Sequence, residues 1–122
     1  MGDYEAAREQ FELSLKLARD HELTVIKGDK MPIGIYEDHR SFTCHEQTLK
    51  ENDTLYLFSD GYVDQIGGPR RKSFRSKYFR ELLLQNHHRN MKEQQQLLES
   101  SLDEWKGDNE QIDDILVIGF RV

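Results

Sequence analysis

Apolar positions along the chain fall into three zones of different period. In the first, Tyr4, Ala7, Phe11, Leu15 and Ala18 recur at the i, i+3, i+4, i+7 spacing of one helical face. This predicts an amphipathic helix over residues 3 to about 21, with Asp3 as N-cap and with Leu13 and Leu17 widening the apolar stripe. The second zone, residues 23 to 66, reads as strands. Leu23-Thr24-Val25-Ile26-Lys27 is a short β-prone run stopped by Gly28-Asp29. Met31-Pro32-Ile33-Gly34 is a tight loop or an edge segment, because Pro32 lacks a backbone donor. Ser41 to Leu49 suits a half-exposed strand, and Lys50-Glu51-Asn52-Asp53 is a turn. Thr54 to Phe58 is then a second strand, close enough to the first for an antiparallel hairpin.

The third zone holds two helices and a final strand. Gly67-Gly68-Pro69 breaks regular structure. Ser76 is placed to cap a helix through Tyr78, Phe79, Leu82 and Leu83 to about Asn86. Asn90 caps a longer helix that carries Met91, Gln94, Leu98, Ser101, Leu102 and Trp105 on one face and stops at Gly107. Ile115 to Val122 is apolar on both faces until Arg121, the pattern of a central strand covered on both sides.

Composition narrows the class. A chain of 122 residues is one domain at most, and its 36% hydrophobic content sits in distinct runs despite a mean hydropathy of -0.82. The net charge of -6 argues against a nucleic-acid binder, which needs a basic face. The densest basic stretch, Arg70-Arg71-Lys72 through Arg80, reads as a solvated loop and helix face. No segment approaches the ~20 apolar residues of a membrane span, and no signal-peptide pattern opens the chain. The single cysteine, Cys44, precludes an internal disulfide and fits a reducing, cytoplasmic compartment; its alternation with Phe42 suggests a buried structural thiol. The five histidines show no ligand spacing on one face, and His87-His88 at a helix end reads as a surface feature favoured by the dipole.

The candidate chemistry lies at two strand ends. Leu55-Tyr56-Leu57-Phe58 runs into Ser59-Asp60-Gly61, and Asp113-Asp114 precedes Ile115-Leu116-Val117-Ile118-Gly119-Phe120. Carboxylates at strand ends are held rigidly, as hard divalent cations require. Taken singly, Asp60 before Gly61 could be a turn residue and Asp113 could cap the entry to a strand. Asp64 reads as a polar loop residue, with a place lining the site as the other reading, and Asp108 and Glu110 read as solvated loop charges.

These two motifs resemble the C-terminal motifs of metal-dependent PPM (PP2C-like) protein phosphatases, and most of all the bacterial SpoIIE/RsbU-type serine phosphatases. Lys27-Gly28-Asp29-Lys30-Met31-Pro32-Ile33-Gly34 is similar to the glycine-proline-glycine stretch of that subgroup, and Asn52-Asp53-Thr54 leading into Leu55 to Gly61 is similar to another of its segments. The resemblance runs from about Leu23 to Val122. It implies an α+β fold: a partial PP2C-like β-sandwich with an antiparallel sheet and flanking helices, preceded here by the N-terminal amphipathic helix. It also implies two domains of the chain, residues 1–22 as that helix and 23–122 as the C-terminal portion of a phosphatase domain.

In such phosphatases two Mn²⁺ or Mg²⁺ ions supply a hydroxide that attacks the phosphorus of a phosphoserine or phosphothreonine. The resemblance makes Asp60 and Asp113 metal ligands, Asp114 a lesser candidate, and Gly61 a residue that lets the backbone turn beside the metal. It implies a phosphoserine protein substrate such as an anti-sigma-factor antagonist, in sigma-factor signalling. Nothing in residues 1–22 is similar to the family's N-terminal Asp-Gly metal motif, so a fragment with no complete catalytic set is expected, inactive or weakly active alone. Gly2-Asp3-Tyr4 with Ala7, Phe11 and Ser14 is also similar to a tetratricopeptide-repeat helix, and an ordinary amphipathic helix accounts for it equally. A half-sheet would leave an open edge, so homo-oligomerisation through that edge or the N-terminal helix is expected. A non-catalytic interaction or oligomerisation module derived from the same domain is the alternative.

Overall fold

The computed structural model describes residues 13–27, 44 and 46–122. Six strands and three helices follow one another as β1 (Leu13–Arg19), β2 (Glu22–Lys27), β3 (Thr54–Ser59), α1 (Gly61–Asp64), β4 (Ile66–Gly67), β5 (Lys72–Ser73), α2 (Ser76–Asn86), α3 (Met91–Lys106) and β6 (Val117–Arg121). Four strands form an antiparallel sheet in the order β2-β1-β3-β6, and β4 and β5 make a separate small hairpin. No helix among the described residues is long and apolar enough to cross a membrane.

The first correction concerns the N-terminal helix. Leu13–Arg19 is a strand, paired on one side with β2 and on the other with β3. Leu13, Leu15 and Leu17 alternate with Ser14, Lys16 and Ala18, a period of two that two ladders reinforce. A two-residue turn at Asp20-His21, with Asp20 at φ 53°, joins β1 to β2. The boundary expected at 22/23 therefore falls inside a hairpin. Residues 1–12, which carry the rest of the helix reading and the tetratricopeptide likeness, lie outside the described residues, as do 28–43 with the glycine-proline-glycine stretch.

Other expectations shift for identifiable reasons. Among Ser41 to Leu49, the described residues Cys44 and Glu46 to Leu49 are not in a strand, and β3 pairs with β1 and β6 instead. Cys44 is exposed rather than buried. The turn before β3 forms as expected, closed by Asp53 N–H to Lys50 O at 3.0 Å with Asn52 at φ 73°. Among the described residues β6 is an edge strand and not a central one, and Ile118, Phe120 and Val122 are about half exposed.

The sheet has two unlike faces. On one, Ala18, Leu23, Tyr56 and Phe58 meet Tyr62, Val63, Phe79 and Leu83 in the main core. Phe79 sits between two rings, its centroid 4.9 Å from that of Phe58 and 4.9 Å from that of Tyr62. On the other, the register aligns Leu15 with Leu57 and Ile118, and Leu17 with Leu55 and Phe120. Leu17 and Leu55 are buried there, whereas Ile118 and Phe120 stay open.

The helices form where their caps predict, with one difference. Asn90 caps α3, its Oδ1 accepting from Glu93 N–H at 2.8 Å while its amide donates to Glu93 Oε1 at 3.1 Å, a reciprocal capping box. Gly107 ends α3 at φ 53°. For α2 the N-cap is Arg75 instead of Ser76, and no side chain caps it. The hydroxyl of Tyr56 donates to Gln94 Oε1 at 2.5 Å and that of Tyr62 to Leu98 O at 2.7 Å, so α3 is fixed to β3 and α1 by polar as well as apolar contacts. Burial pushes the Tyr56 phenol up to about 12.

Candidate functional site

β3 delivers Asp60 to the head of α1. Its register is set from within, because Tyr56 and Phe58 face the helices while Leu55 and Leu57 face away. The strand ends at Ser59, and Asp60 is the N-cap of α1, its carbonyl accepting from Asp64 N–H at 2.9 Å. Asp60 is partly exposed. Asp64, one turn on, is exposed.

The second motif is stitched to the first by a buried serine. Ser59 Oγ donates to Asp114 O at 2.8 Å and accepts from Leu116 N–H at 3.0 Å, while Ser59 N–H donates to Leu116 O at 3.0 Å. Ser59 is 2% exposed, so these bonds work in a desolvated setting where an unmade bond is costly. Gly61 completes the junction by close approach rather than by a special turn. A Cβ there would stand 2.1 Å from the carbonyl oxygen of Asp114 and 2.9 Å from Ile115 Cγ1. Only glycine lets the two motifs touch at this point.

The two strand-end motifs are thus brought together: Ser59 and Gly61, on either side of Asp60, lie against the Asp114 backbone. Asp113 and Asp114 are both exposed. Asp113 Oδ1 accepts from the Asp114 N–H at 2.8 Å, and Gln111 Nε2 donates to Asp113 O at 3.0 Å, which shapes the approach to β6. All three carboxylates are hard oxygen donors, a donor type that suits Mg²⁺ or Mn²⁺ over Zn²⁺. Among the described residues, however, no three His, Cys, Asp or Glu side chains gather as a metal site. The donor chemistry fits such a cation, but the described residues do not complete its coordination, and no catalytic step follows from them alone.

Three features around the site escaped the sequence. Asp53, at the other end of β3, is a structural carboxylate: Arg19 Nε and Nη2 reach it at 2.8 and 2.6 Å, and Lys50 N–H at 2.7 Å. The Arg19 guanidinium and the Lys50 amide hold its carboxyl down to about 2. The side-chain amide of Gln65, fully buried just after α1, donates to Ile66 O and Glu110 O, and the Gln65 backbone carbonyl accepts from Trp105 Nε1 at 2.9 Å. His87 is the C-cap of α2 and more than a surface feature. Its Nε2 donates to Asp20 O at 2.6 Å, and its carbonyl accepts from Thr54, Gln94 and Arg121. Alternating leucines around Asp20-His21 were the available signal for β1; Gln65 and His87 carry none in the sequence.

An antiparallel sheet with helices on one face, and an Asp-Gly step at the end of its central strand tied to an Asp-Asp pair, is the arrangement of a PP2C-like phosphatase fold. The chain belongs to the Stage II sporulation protein E (SpoIIE) family, whose model matches residues 12–122. A solved structure, the SiaA-PP2C domain of Pseudomonas aeruginosa, is similar at a TM-score of 0.80 and 29% sequence identity, covering 92% of this chain and 44% of that one. The chain therefore spans less than half the length of that structure. A search of curated proteins returns no match.

Proposed function

We propose that Asp60 and Asp113, with Asp114 in a lesser role, form two corners of a Mn²⁺ or Mg²⁺ site of the phosphatase type, whose remaining ligands lie outside the described residues. The observation that carries this reading is the contact between Gly61 and the Asp114 backbone, which sets two separate acidic motifs side by side at one edge of the sheet. When bound, such cations activate water for attack on a phosphate ester. This chain's part is to hold the carboxylates rigidly, through Ser59 and Gly61. The substrate class is a phosphoserine protein, such as an anti-sigma-factor antagonist in bacterial signalling. Two corners do not complete such a site, so turnover that rests on the described residues alone is weak or absent.

Calorimetric titration with Mn²⁺ tests the reading. Binding heat is expected, and Asp60→Asn and Asp113→Asn should each remove it. A folded protein that binds no Mn²⁺, or binds it equally well in both variants, contradicts the assignment. Hydrolysis of p-nitrophenyl phosphate that disappears in Asp60→Asn would make the chain catalytic in its own right.

A second reading is favoured by the edge strand. The open apolar side chains of Ile118 and Phe120 on β6, with Val122 just after it, suit a non-catalytic interaction module that self-associates along that edge. Sedimentation at micromolar concentration distinguishes the two: an oligomer without Mn²⁺ binding supports the module, and a monomer that binds Mn²⁺ supports the site.

A further inference from the structure

The chain is acidic overall, yet one loop reverses the sign. Between Gln65 and Arg80 there is no Asp or Glu, while Arg70, Arg71, Lys72, Arg75, Lys77 and Arg80 are all present and all exposed. Among the described residues the ion pairs are Arg19–Asp53 and Arg89–Glu93, so none of these six cations has a carboxylate partner there. Such clustering costs self-repulsion, and a structural role does not call for it.

Three of the cations line a cavity. A hollow of about 350 Å³ is lined by Arg70, Lys72 and Arg75 on one side and by Tyr78 and Trp105 on another. Its walls are set in advance. Gly68 N–H donates to Trp105 O at 3.1 Å, Trp105 Nε1 donates to Gln65 O at 2.9 Å, and a Cβ on Gly67 would stand 2.0 Å from Trp105 O. A preformed pocket loses little entropy on binding. The loop is also fastened to the candidate metal corner: Arg75 N–H donates to Val63 O and Phe74 N–H to Gln65 O, both at 2.9 Å, and Val63 belongs to the helix that Asp60 heads.

We propose that this basic pocket docks a phosphorylated, acidic segment of a protein partner. Arginine forks match phosphate and carboxylate oxygens in pairs, and the aromatic wall receives the aliphatic part of the segment. A hollow of this size takes a side chain, and three cations at one hollow are fewer than the long stripe that a nucleic-acid backbone needs. A membrane surface would call for several apolar side chains beside the cations, and here the exposed large apolar residue is Tyr78. The pocket thereby gives the proposed phosphatase reading a way to select its substrate, but docking needs neither metal nor turnover.

Trp105 is the sole tryptophan, so its fluorescence reports the pocket. The probe is a short synthetic peptide with one phosphoserine flanked by glutamates, titrated into the whole chain without added metal. A saturable change is expected. The unphosphorylated peptide, and the double variant Arg70→Glu with Lys72→Glu, should each bind about tenfold more weakly, while Lys92→Glu on the exposed first turn of α3 leaves binding unchanged. Circular dichroism checks that the variants fold. No saturable change, equal affinity in the double variant, equal affinity for the unphosphorylated peptide, or tighter binding to single-stranded DNA or phosphatidylserine vesicles overturns the proposal. Because the assay is metal-free, its failure is separate from any failure of Mn²⁺ to bind at Asp60 and Asp113.

Discussion

The two ends of β3 each carry an aspartate, and the protein treats them in opposite ways. Asp53, before the strand, is 1% exposed and saturated by the Arg19 fork and the Lys50 amide. Its charge is consumed in tying β1 to the turn that precedes β3. Asp60, after the strand, is partly exposed between two residues that meet the Asp114 backbone, and the side chains of Asp113 and Asp114 are exposed. Acids gathered at one edge raise local repulsion, which a cation would relieve. One end is built to hold the sheet, the other to present charge. Residue type alone does not separate these roles; the partners do.

The largest effect is expected from breaking the presenting end. Gly61→Ala forces a Cβ into the Asp114 carbonyl and should cost about 3 kcal/mol or displace the 113–116 segment, read by denaturant unfolding. Ser59→Ala comes next. It leaves the Asp114 carbonyl and the Leu116 N–H without their buried partner and should cost about 1–2 kcal/mol in the same measurement.

The holding end is probed by pH. The carboxyl of Asp53 lies below its ordinary value of 3.8, at about 2. Its contribution is therefore complete above the unfolded value and is lost as pH falls through about 2. Wild type should lose more stability than Asp53→Asn between these values, measured as the difference in their Tm profiles, and at neutral pH Asp53→Asn should melt several degrees lower. The smallest effect belongs to Asp113→Asn. Its side chain is exposed and the asparagine oxygen can still accept from Asp114 N–H, so stability should change by no more than about 0.5 kcal/mol while Mn²⁺ binding is lost.

The contrast between the two ends also marks what the sequence could and could not reveal. Asn90, Gly107 and the 3.6-residue pattern between them are local signals, and α3 follows them. The run from Leu13 to Arg19 was ambiguous. Leucine, lysine, alanine and arginine all favour helices, and the decision for strand comes from pairing with β2 across a two-residue turn and with β3, more than thirty residues on. The apolar run of β6 resembles a central strand because composition reports what a strand would bury and says nothing of its neighbours. Asp60 and Asp113 could be singled out by their places beside apolar runs. The Ser59 bridge and the Gly61 contact could not, since both link residues more than fifty positions apart.

The most direct test of the carboxylate corner is paramagnetic broadening of amide resonances by substoichiometric Mn²⁺. The account predicts that Ser59, Asp60 and Gly61 broaden together with Asp113, Asp114 and Ile115, while Asp53 and Thr54 at the far end of the same strand stay sharp. Broadening of one motif without the other, or broadening centred on Asp53, would contradict it.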